Sequence, residues 1–392
     1  MRGFTTGDRM ATRRIGIIVH GATGRIGTTQ HLMNSLVPIR AEGGLPLGNG
    51  ERLMPDPILV GRNAEKLAAL ATRLGIERWS TDLDAALANK DDPLFFECAY
   101  GGNRVELAHR AIAAGKHVYL EKPAGESFDQ VIGLRDAAVR AGVKHGVMQD
   151  KIHLPGLVKM KRLMRLGSLG KLLSVRLEFG WWVFDGGTIP AQRTSWNYRK
   201  ADGGGMVLDM FPHWRYVLEH LFGRPTAVSC HMRTAQPKRW DEAGKPFDVD
   251  VDDEARATLE FDNGAVGEIF SSWATRIRRD DMLVIHATGT EASAVCTLQE
   301  CWTQTLANTP KPVFPVMAPQ TMNFFEQWLA VPELDPFKNS YRCAWELFLR
   351  HVAEEGPNSA SLTAAARHLQ LIDACHDSHR RRAWVDLPEI AG

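Results

Sequence analysis

The sequence lacks several features that would assign it to a specialised class of protein. None of its six cysteines forms a CxxC pair, so the pattern argues against a disulfide framework or a metal site and favours a reducing cytoplasm. No apolar run is long enough to span a bilayer. The formal net charge is only +1, which gives no field to attract nucleic acid or an anionic membrane. We therefore expect neither a nucleic-acid partner nor membrane contact.

The composition is that of an ordinary globular protein, with 44% hydrophobic and 24% charged residues among 392. This length exceeds what a single core usually covers, so two domains are expected. Residues 1–13 contain no apolar stretch like a signal peptide and are expected to form a disordered leader. The pattern changes near residue 150, which separates a first domain, 14–150, from a second, 151–392.

The first domain alternates predicted strands with predicted helices. The strands are expected at 15–19, 56–61, 93–100, 117–120 and 144–150, the helices at 63–75, 103–115 and 127–142, and a surface loop at 37–57. Repeated strand–helix units of this length predict a doubly wound, Rossmann-type parallel sheet with helices on both faces. Ligands of such sheets bind outside the carboxyl ends of the strands.

A glycine-rich turn follows the first strand. Gly21, Gly24 and Gly27 have GxxGxxG spacing, and a helical segment comes next. Glycines let the backbone approach a pyrophosphate, and the helix N-terminus offers free N–H groups. A tight turn without a ligand is the alternative, but the position at the first strand favours a dinucleotide.

The end of the second strand bears on the choice of cofactor. An NAD site usually has an acid there to bind the ribose 2′-hydroxyl, whereas this strand ends in Gly61-Arg62-Asn63. An arginine suits a 2′-phosphate, so NADP(H) is preferred and NAD(H) is the alternative, with Arg25 as a second candidate contact. Arg62 could instead stack on adenine or face water.

The second domain contains strands in succession. They are expected at 171–182, 226–234, 254–261, 265–275, 281–289 and 291–297, followed by two helices at 341–356 and 361–378. The predicted fold is α/β overall, a Rossmann domain followed by an α+β domain with a large, mostly antiparallel open sheet. A broad sheet needs its second face covered, by helices or by another subunit. We therefore expect a homodimer or homotetramer formed through this sheet.

Three glycines at 203–205 precede a helical pattern that carries Asp209 and His213. These two residues are four apart and share one face of a helix. A carboxylate beside an imidazole suits proton transfer and alcohol binding, although such pairs are more often surface pairs. Pro212 could kink the helix at this point.

The glycine turn, "AGKHVYLEKP" at 114–123 and "GGGMVLDMFPH" at 203–213 together resemble the glucose–fructose oxidoreductase/inositol dehydrogenase (Gfo/Idh/MocA) family. The resemblance implies a nicotinamide-dependent dehydrogenase or reductase acting on a sugar, cyclitol or related polyol. It implies that Lys122 contacts the substrate hydroxyl and the nicotinamide ribose, that Asp209 and His213 bind substrate and transfer protons, and that the Lys122–Pro123 bond is cis.

The expected site residues fall into three groups. The catalytic residues are Lys122, His213 and Asp209. The cofactor-binding residues are Gly21, Thr23, Gly24, Arg25, Ile26, Gly27, Gly61, Arg62, Ala99, Tyr100, Asn103, Glu121 and Lys122. The substrate-binding residues are Lys122, Gln149, Lys151, Trp182, Trp196, Tyr198, Arg199, Asp209 and His213, and core packing or a subunit contact explains the aromatic ones equally well. No metal is expected.

Departures from the family pattern leave the substrate open. Tyr216 stands where an acid is common, Met-Phe-Pro occupies 210–212, and "AYGGNR" follows the fourth strand. The expected reaction is hydride transfer between a sugar-like alcohol and nicotinamide C4, with Lys122 or His213 taking the proton. A lyase, epimerase or glycosidase that oxidises its substrate transiently is one alternative, and a non-catalytic ligand sensor on the same fold is another.

Overall fold

The computed structural model describes residues 11–99, 103–311, 317, 322–334 and 336–390. The chain forms two compact units. The first comprises residues up to Asp150 together with Lys338–Ala366, and the second comprises Lys151–Phe337 and the residues from Arg367 to Ala391. The first point of division falls after Asp150, and residues 338–366, which we expected in the second domain, belong to the first unit.

The helices, in chain order, are α1 (Val37–Ala41), α2 (Ala64–Leu74), α3 (Leu83–Ala88), α4 (Arg104–Ala113), α5 (Phe128–Arg140), α6 (Pro155–Arg165), α7 (Met206–Phe222), α8 (Ser340–Val352) and α9 (Leu362–Arg381). A π-helical segment, Gly27–Leu36, leads directly into α1. The strands of the first unit are β1 (Thr12–His20), β2 (Leu45–Pro46), β3 (Arg52–Val60), β4 (Arg78–Ser80), β5 (Leu94–Glu97), β6 (His117–Leu120) and β7 (His145–Val147). Those of the second are β8 (Leu172–Gly180), β9 (Pro225–Arg233), β10 (Lys238–Trp240), β11 (Pro246–Asp248), β12 (Glu254–Phe261), β13 (Val266–Ser272), β14 (Leu283–Gly289), β15 (Ala292–Cys296), β16 (Cys301–Thr305), β17 (Leu329–Ala330) and β18 (Val385–Asp386).

The first unit is built on the predicted parallel sheet. Among the described residues its strand order is β2-β3-β1-β5-β6-β7, and β4 also pairs with β3. Every pair is parallel except β2 with β3. Helix α2 begins at the predicted N-cap, Asn63, whose side chain accepts the Lys66 N–H, and it ends at the left-handed Gly75.

Strand β3 starts at Arg52, four residues earlier than expected, inside the segment predicted to be a loop. The Pro/Gly-rich composition of this segment predicted a loop, but the Arg52 N–H points towards β1 and donates to the carbonyl of Ala11, the residue before β1. Odd-numbered residues of β3 therefore face the other way, where β2 and β4 pair only with the two ends of the strand. Pro55 and Pro57 thus lie where no ladder hydrogen bond is required.

The second unit contains the predicted broad sheet. Its nine strands, counted over the part of the chain that the structure describes, have the order β17-β16-β15-β14-β8-β13-β12-β9-β18. All neighbours are antiparallel except β8 and β13. Helices α6 and α7 pack on this sheet, and the Trp214 indole N–H donates to Ser271 Oγ at 3.2 Å.

Two further predictions are modified. Thr12 and Arg13, assigned to the leader, form the first residues of β1, while residues 1–10 lie outside the described part of the chain. The short hairpin β10–β11 had no sequence signal that we recognised. Within the described ranges, no helix combines the length and the apolar character needed to cross a membrane.

Gly204 provides a test of the packing before α7. A Cβ atom added there would lie 2.5 Å from the carbonyl oxygens of both Trp196 and Asn197. We expect Gly204→Ala to lower the free energy of unfolding by about 2 kcal/mol, because backbone must move to admit the methyl group. Urea denaturation measures this.

The matched control is Gly133→Ala in α5, where an added Cβ meets nothing within 4 Å. This change should raise stability by about 0.5–1 kcal/mol, because alanine is the better helix former. Equal effects of the two substitutions would contradict the packing argument.

Candidate active site

The parallel strands of the first unit end at one edge. His20 is level with both Val60 and Glu97, and Glu97 is level with Leu120. The residues that follow these ends are Gly21, Gly61, Cys98, Glu121 and Met148. The glycine turn and the Glu-Lys-Pro segment therefore share the carboxyl edge, as the alternating pattern predicted.

Gly21 makes the sharp exit from β1. Its φ is +84°, and an added Cβ would lie 2.4 Å from the Ala99 nitrogen, so no other residue fits. Its N–H donates to the Val60 carbonyl at 3.0 Å. Thr23, Gly24 and Arg25 are exposed where the helix begins. Exposed N–H groups of a first helical turn at this edge fit the pyrophosphate of a dinucleotide.

The segment after this turn is a π-helix, which the sequence did not predict. The Val37 N–H bonds the Leu32 carbonyl, five residues back, and Ser35 Oγ bonds the Gln30 carbonyl. Ten residues in this conformation are unusual, and π-helical turns occur frequently at functional sites. His31 lies within this segment and is fully buried.

Glu121 is the buried carboxylate of the Glu-Lys-Pro segment. Its Oε1 is 2.8 Å from His31 Nε2, and its Oε2 accepts the Lys122 backbone N–H at 2.9 Å. Burial raises the pKa of this carboxyl, but the hydrogen bond with His31 and the charges of Lys122 and Arg104 outweigh burial and hold the pKa below its usual value. Glu121 is therefore an anion at neutral pH.

Lys122 is half-buried at the end of β6, and the Lys122–Pro123 bond is cis, as the resemblance implied. Arg104, which sequence reasoning missed, donates to the Pro123 carbonyl at 2.5 Å and to the Ala99 carbonyl at 3.1 Å. It is the first residue of α4, and only that position in the pattern marked it. The guanidinium joins the turn after β5 to the Glu-Lys-Pro backbone.

Three other predicted cofactor residues, Arg62, Ala99 and Asn103, follow strand ends at this edge or lie close after them. Arg62 is exposed, and Asn63 is committed to capping α2. The Ala99 N–H donates to Glu97 Oε1 at 2.7 Å, and Asn103 precedes α4 without capping it through its side chain. Tyr100 lies outside the described residues.

The second unit places Asp209 and His213 on one continuous helix, α7. Pro212 does not interrupt the helix, so the two side chains share a face as predicted. The start of α7 is held by Asp252, whose carbonyl accepts the Met206 N–H and whose Oδ2 accepts the Val207 N–H, each at 2.8 Å.

A guanidinium that the sequence did not single out contacts Asp209. Arg193 Nη2 is 2.5 Å from Asp209 Oδ2 and 2.6 Å from Asn197 Oδ1. Its Cζ lies 4.4 Å from the centre of the Trp273 ring. The Asp209 side chain is only 10% exposed, so the arginine supplies the counter-charge that a largely buried carboxylate requires.

The remaining predicted substrate residues have different surroundings. Tyr198 is 1% exposed, between the Arg239 guanidinium and the Trp273 ring, and burial raises its pKa to about 12. Core packing, the alternative considered above, therefore accounts for Tyr198. Arg199 contacts the Phe247 ring in the β10–β11 hairpin rather than Asp209.

The four other predicted substrate residues lie on separate segments of the chain. Trp182 lies under the Arg276 guanidinium, at 4.0 Å. Trp196 is half-buried, and Lys151 begins a short 3₁₀ turn that contacts α7. Gln149 is buried after β7 in the first unit. Over the described residues, no group of three or more potential metal ligands is assembled.

Comparison with known proteins agrees with this geometry. Residues 157–295 match the GFO/IDH/MocA C-terminal domain. A D-xylose dehydrogenase of Paenarthrobacter nicotinovorans is 42% identical over 383 residues, which cover 97% of this chain and 99% of that protein. A levoglucosan dehydrogenase of Pseudarthrobacter phenanthrenivorans is 25% identical, covering 85% and 90%. A solved levoglucosan dehydrogenase in complex with NADH superposes with a TM-score of 0.79 at 22% identity, covering 96% and 100%.

The parallel sheet, its glycine turn and the lysine at its carboxyl edge define a nicotinamide-dependent oxidoreductase that acts on CH–OH groups. The match to the D-xylose dehydrogenase over almost the whole chain, together with the matched C-terminal domain, shows that the chain belongs to the Gfo/Idh/MocA family. The recognition made from the sequence motifs is confirmed.

The contrast between Arg193 and Arg199 yields a test. We expect Arg193→Ala to raise the KM for substrate by about tenfold or more, because Asp209 loses the charge-assisted bond that fixes it. Arg199→Ala, the matched control, should change KM by less than about twofold, since Arg199 contacts Phe247 and lies 3.8 Å from Asp241, in a partly exposed ion pair of the kind that contributes little. Steady-state kinetics measures both values, and an equal response would contradict a role for Arg193.

Proposed function

We propose that this protein oxidises a sugar at a CH–OH carbon, with D-xylose as the first substrate to test, and that Lys122 takes the hydroxyl proton. The observation that carries the proposal is the position of Lys122 at the carboxyl edge, on the strand next but one to the glycine turn. Full-length similarity to a D-xylose dehydrogenase supports the substrate class, and the weaker similarity to a levoglucosan dehydrogenase supports a sugar more generally.

The proposed reaction removes a hydride and a proton from the substrate alcohol. When bound, the nicotinamide supplies the hydride acceptor at C4. The substrate C–H bond breaks and its electron pair leaves with the hydrogen, while the O–H proton passes to a protein base and the C–O bond becomes C=O. Lys122 Nζ is the proposed base, and His213 is the second candidate.

The proposed binding roles follow from the contacts. Asp209, held by Arg193, accepts hydrogen bonds from substrate hydroxyls rather than protons, because its carboxylate already faces a guanidinium at 2.5 Å. The exposed start of the helix after Gly21 binds the pyrophosphate. Glu121 acts on Lys122 through the backbone and does not itself meet the reacting atoms.

Lys122→Met tests the catalytic assignment. The substitution keeps the length of the side chain and removes the base, so kcat should fall by at least about 100-fold. Cofactor affinity, measured by fluorescence titration, should stay within about threefold, because the pyrophosphate contacts remain. Lys90→Met is the matched control, since exposed Lys90 precedes β5 at the opposite edge of the same sheet. An unchanged kcat in Lys122→Met sinks the assignment.

A panel of D-xylose, levoglucosan and a cyclitol, followed by the absorbance of the reduced cofactor, tests the substrate class. We expect D-xylose to give the highest kcat/KM. Turnover of the cyclitol alone would remove the sugar proposal while leaving the oxidoreductase class intact.

We further propose that NADP(H) is preferred over NAD(H). The support is the exposed Arg62, the second residue after β3, where no acid stands at 61–63. Arg62→Ala should weaken NADPH binding by about tenfold and leave NADH binding within about twofold, because only NADPH carries the 2′-phosphate. Exposed Arg73, in the last turn of α2, provides the control variant Arg73→Ala. Tighter binding of NADH by the unaltered protein would reverse the preference.

The large sheet is the proposed surface of self-association. Arg176, Arg256 and Glu268 project from its open face, and the Arg256 guanidinium covers the Phe270 ring at 4.2 Å. A face carrying both charge signs can pair with a second copy of itself about a twofold axis. We expect a dimer or tetramer by light scattering, and a smaller assembly for Arg256→Glu but not for Lys238→Glu on the β10–β11 hairpin. A monomer for the unaltered protein would remove this proposal.

A further inference from the structure

A chain of three hydrogen bonds inside the first unit ends at the backbone of Lys122. Trp345 Nε1 donates to His31 Nδ1 at 3.1 Å, His31 Nε2 lies 2.8 Å from Glu121 Oε1, and the Lys122 N–H meets Glu121 Oε2 at 2.9 Å. We propose that His31 and Trp345 are positioning residues, which set the place of Lys122 through Glu121. This inference rests on the function proposed above, because it assigns the chain of bonds to the working geometry of the lysine.

The donor and acceptor in each of these three hydrogen bonds follow from the chemistry of the groups at the two ends, the Trp345 indole and the Lys122 amide. An indole N–H can only donate, so Nδ1 of His31 must accept. The ring proton then lies on Nε2 and donates to the Glu121 carboxylate. A carboxylate only accepts, so its second oxygen takes the Lys122 N–H. Each atom therefore acts either as a donor or as an acceptor. The opposite His31 tautomer would place a donor against the Trp345 N–H.

The imidazole at the middle of the chain has no freedom to turn. His31 is 0% exposed, and the rings of Phe96 and Tyr341 lie 4.4 and 5.4 Å from its centre. Trp345 in turn contacts Phe96 at 4.8 Å and Tyr119 at 5.0 Å. These closely packed aromatic rings thus fix the plane of the histidine, and with it the Glu121 oxygen that the histidine meets.

The bonds converge on the backbone that carries the lysine. Glu121 holds the N–H of Lys122, and Arg104 holds the carbonyl of Pro123 on the other side. Both contacts are to main-chain atoms, so they fix where the Lys122 Cα lies. Displacing a reacting group by about 1 Å can reduce turnover 100-fold, so this double restraint bears directly on rate.

The experiment compares four variants in the full-length protein. His31→Phe keeps an aromatic ring but removes both hydrogen bonds, and His31→Gln offers an amide N–H near the place of Nε2. Trp345→Phe removes only the first donor. Phe348→Leu is the control for packing, because Phe348 stacks on Tyr119 at 4.1 Å but makes no bond in the chain.

We expect kcat to fall by about 100-fold in His31→Phe and about tenfold in Trp345→Phe, with substrate KM and cofactor affinity within about threefold. His31→Gln should recover at least about tenfold of the loss, because it returns the donor to Glu121. Phe348→Leu should lower the Tm and leave kcat within about twofold, because packing loss acts on stability.

A second readout does not depend on activity. Hydrogen–deuterium exchange of the peptide that contains Lys122 should quicken in His31→Phe and Trp345→Phe, because the amide loses a fixed acceptor. It should stay unchanged in Phe348→Leu.

Two results overturn the proposal: kcat in His31→Phe equal to that in Phe348→Leu, or His31→Gln no better than His31→Phe. If His31→Phe is insoluble, the kcat of Trp345→Phe and its amide exchange test the proposal. Values equal to those of Phe348→Leu would then overturn it. Unchanged kcat in Lys122→Met would remove the catalytic role of the lysine instead. In that case, faster amide exchange in His31→Phe would still show that His31 restrains the Lys122 backbone. The failure would then concern only the catalytic role proposed for the lysine.

Discussion

The buried Glu121 carboxylate is the constraint around which the first unit is organised. A charge removed from water is tolerated only when its oxygens are fully bonded. One oxygen meets His31 and the other meets the Lys122 amide, so the strand end, the π-helix and α8 must all be in place together. The Lys122 backbone is thus held in place because the buried Glu121 carboxylate needs its N–H as a hydrogen-bond donor.

The second unit solves a similar problem with a different partner. Asp209 is largely buried on α7, and the Arg193 guanidinium neutralises it while resting on Trp273. In both units a largely buried carboxylate contacts a planar side chain, the His31 imidazole or the Arg193 guanidinium, which in turn contacts aromatic rings. Such preorganisation lowers the cost of aligning groups when a substrate binds.

Local patterns predicted the elements and the edge at which they meet. Alternating strands and helices gave the parallel sheet, and Asn63 and Gly75 marked both ends of α2. Local sequence patterns did not predict which side chains contact the site residues. His31, Arg104, Arg193 and Trp345 carry no motif, and their roles depend on contacts across as many as 314 positions of sequence. The loop predicted over 37–57 hid the start of β3 for a related reason. Among the described strands, β2 and β4 pair only with the two ends of β3, and that arrangement is a property of the whole sheet.

The return of residues 338–366 to the first unit also bears on how the chain is made. The core of that unit includes Ala344, Trp345, Phe348 and Leu349 beside residues of β1 and β5. A ribosome that has released only residues 1–150 has therefore not yet supplied the side chains that cover this core. The nascent parallel sheet must therefore wait until residues 338–366 have been synthesised before this core can be completed, in contrast to domains built from one continuous segment, which can fold as they emerge.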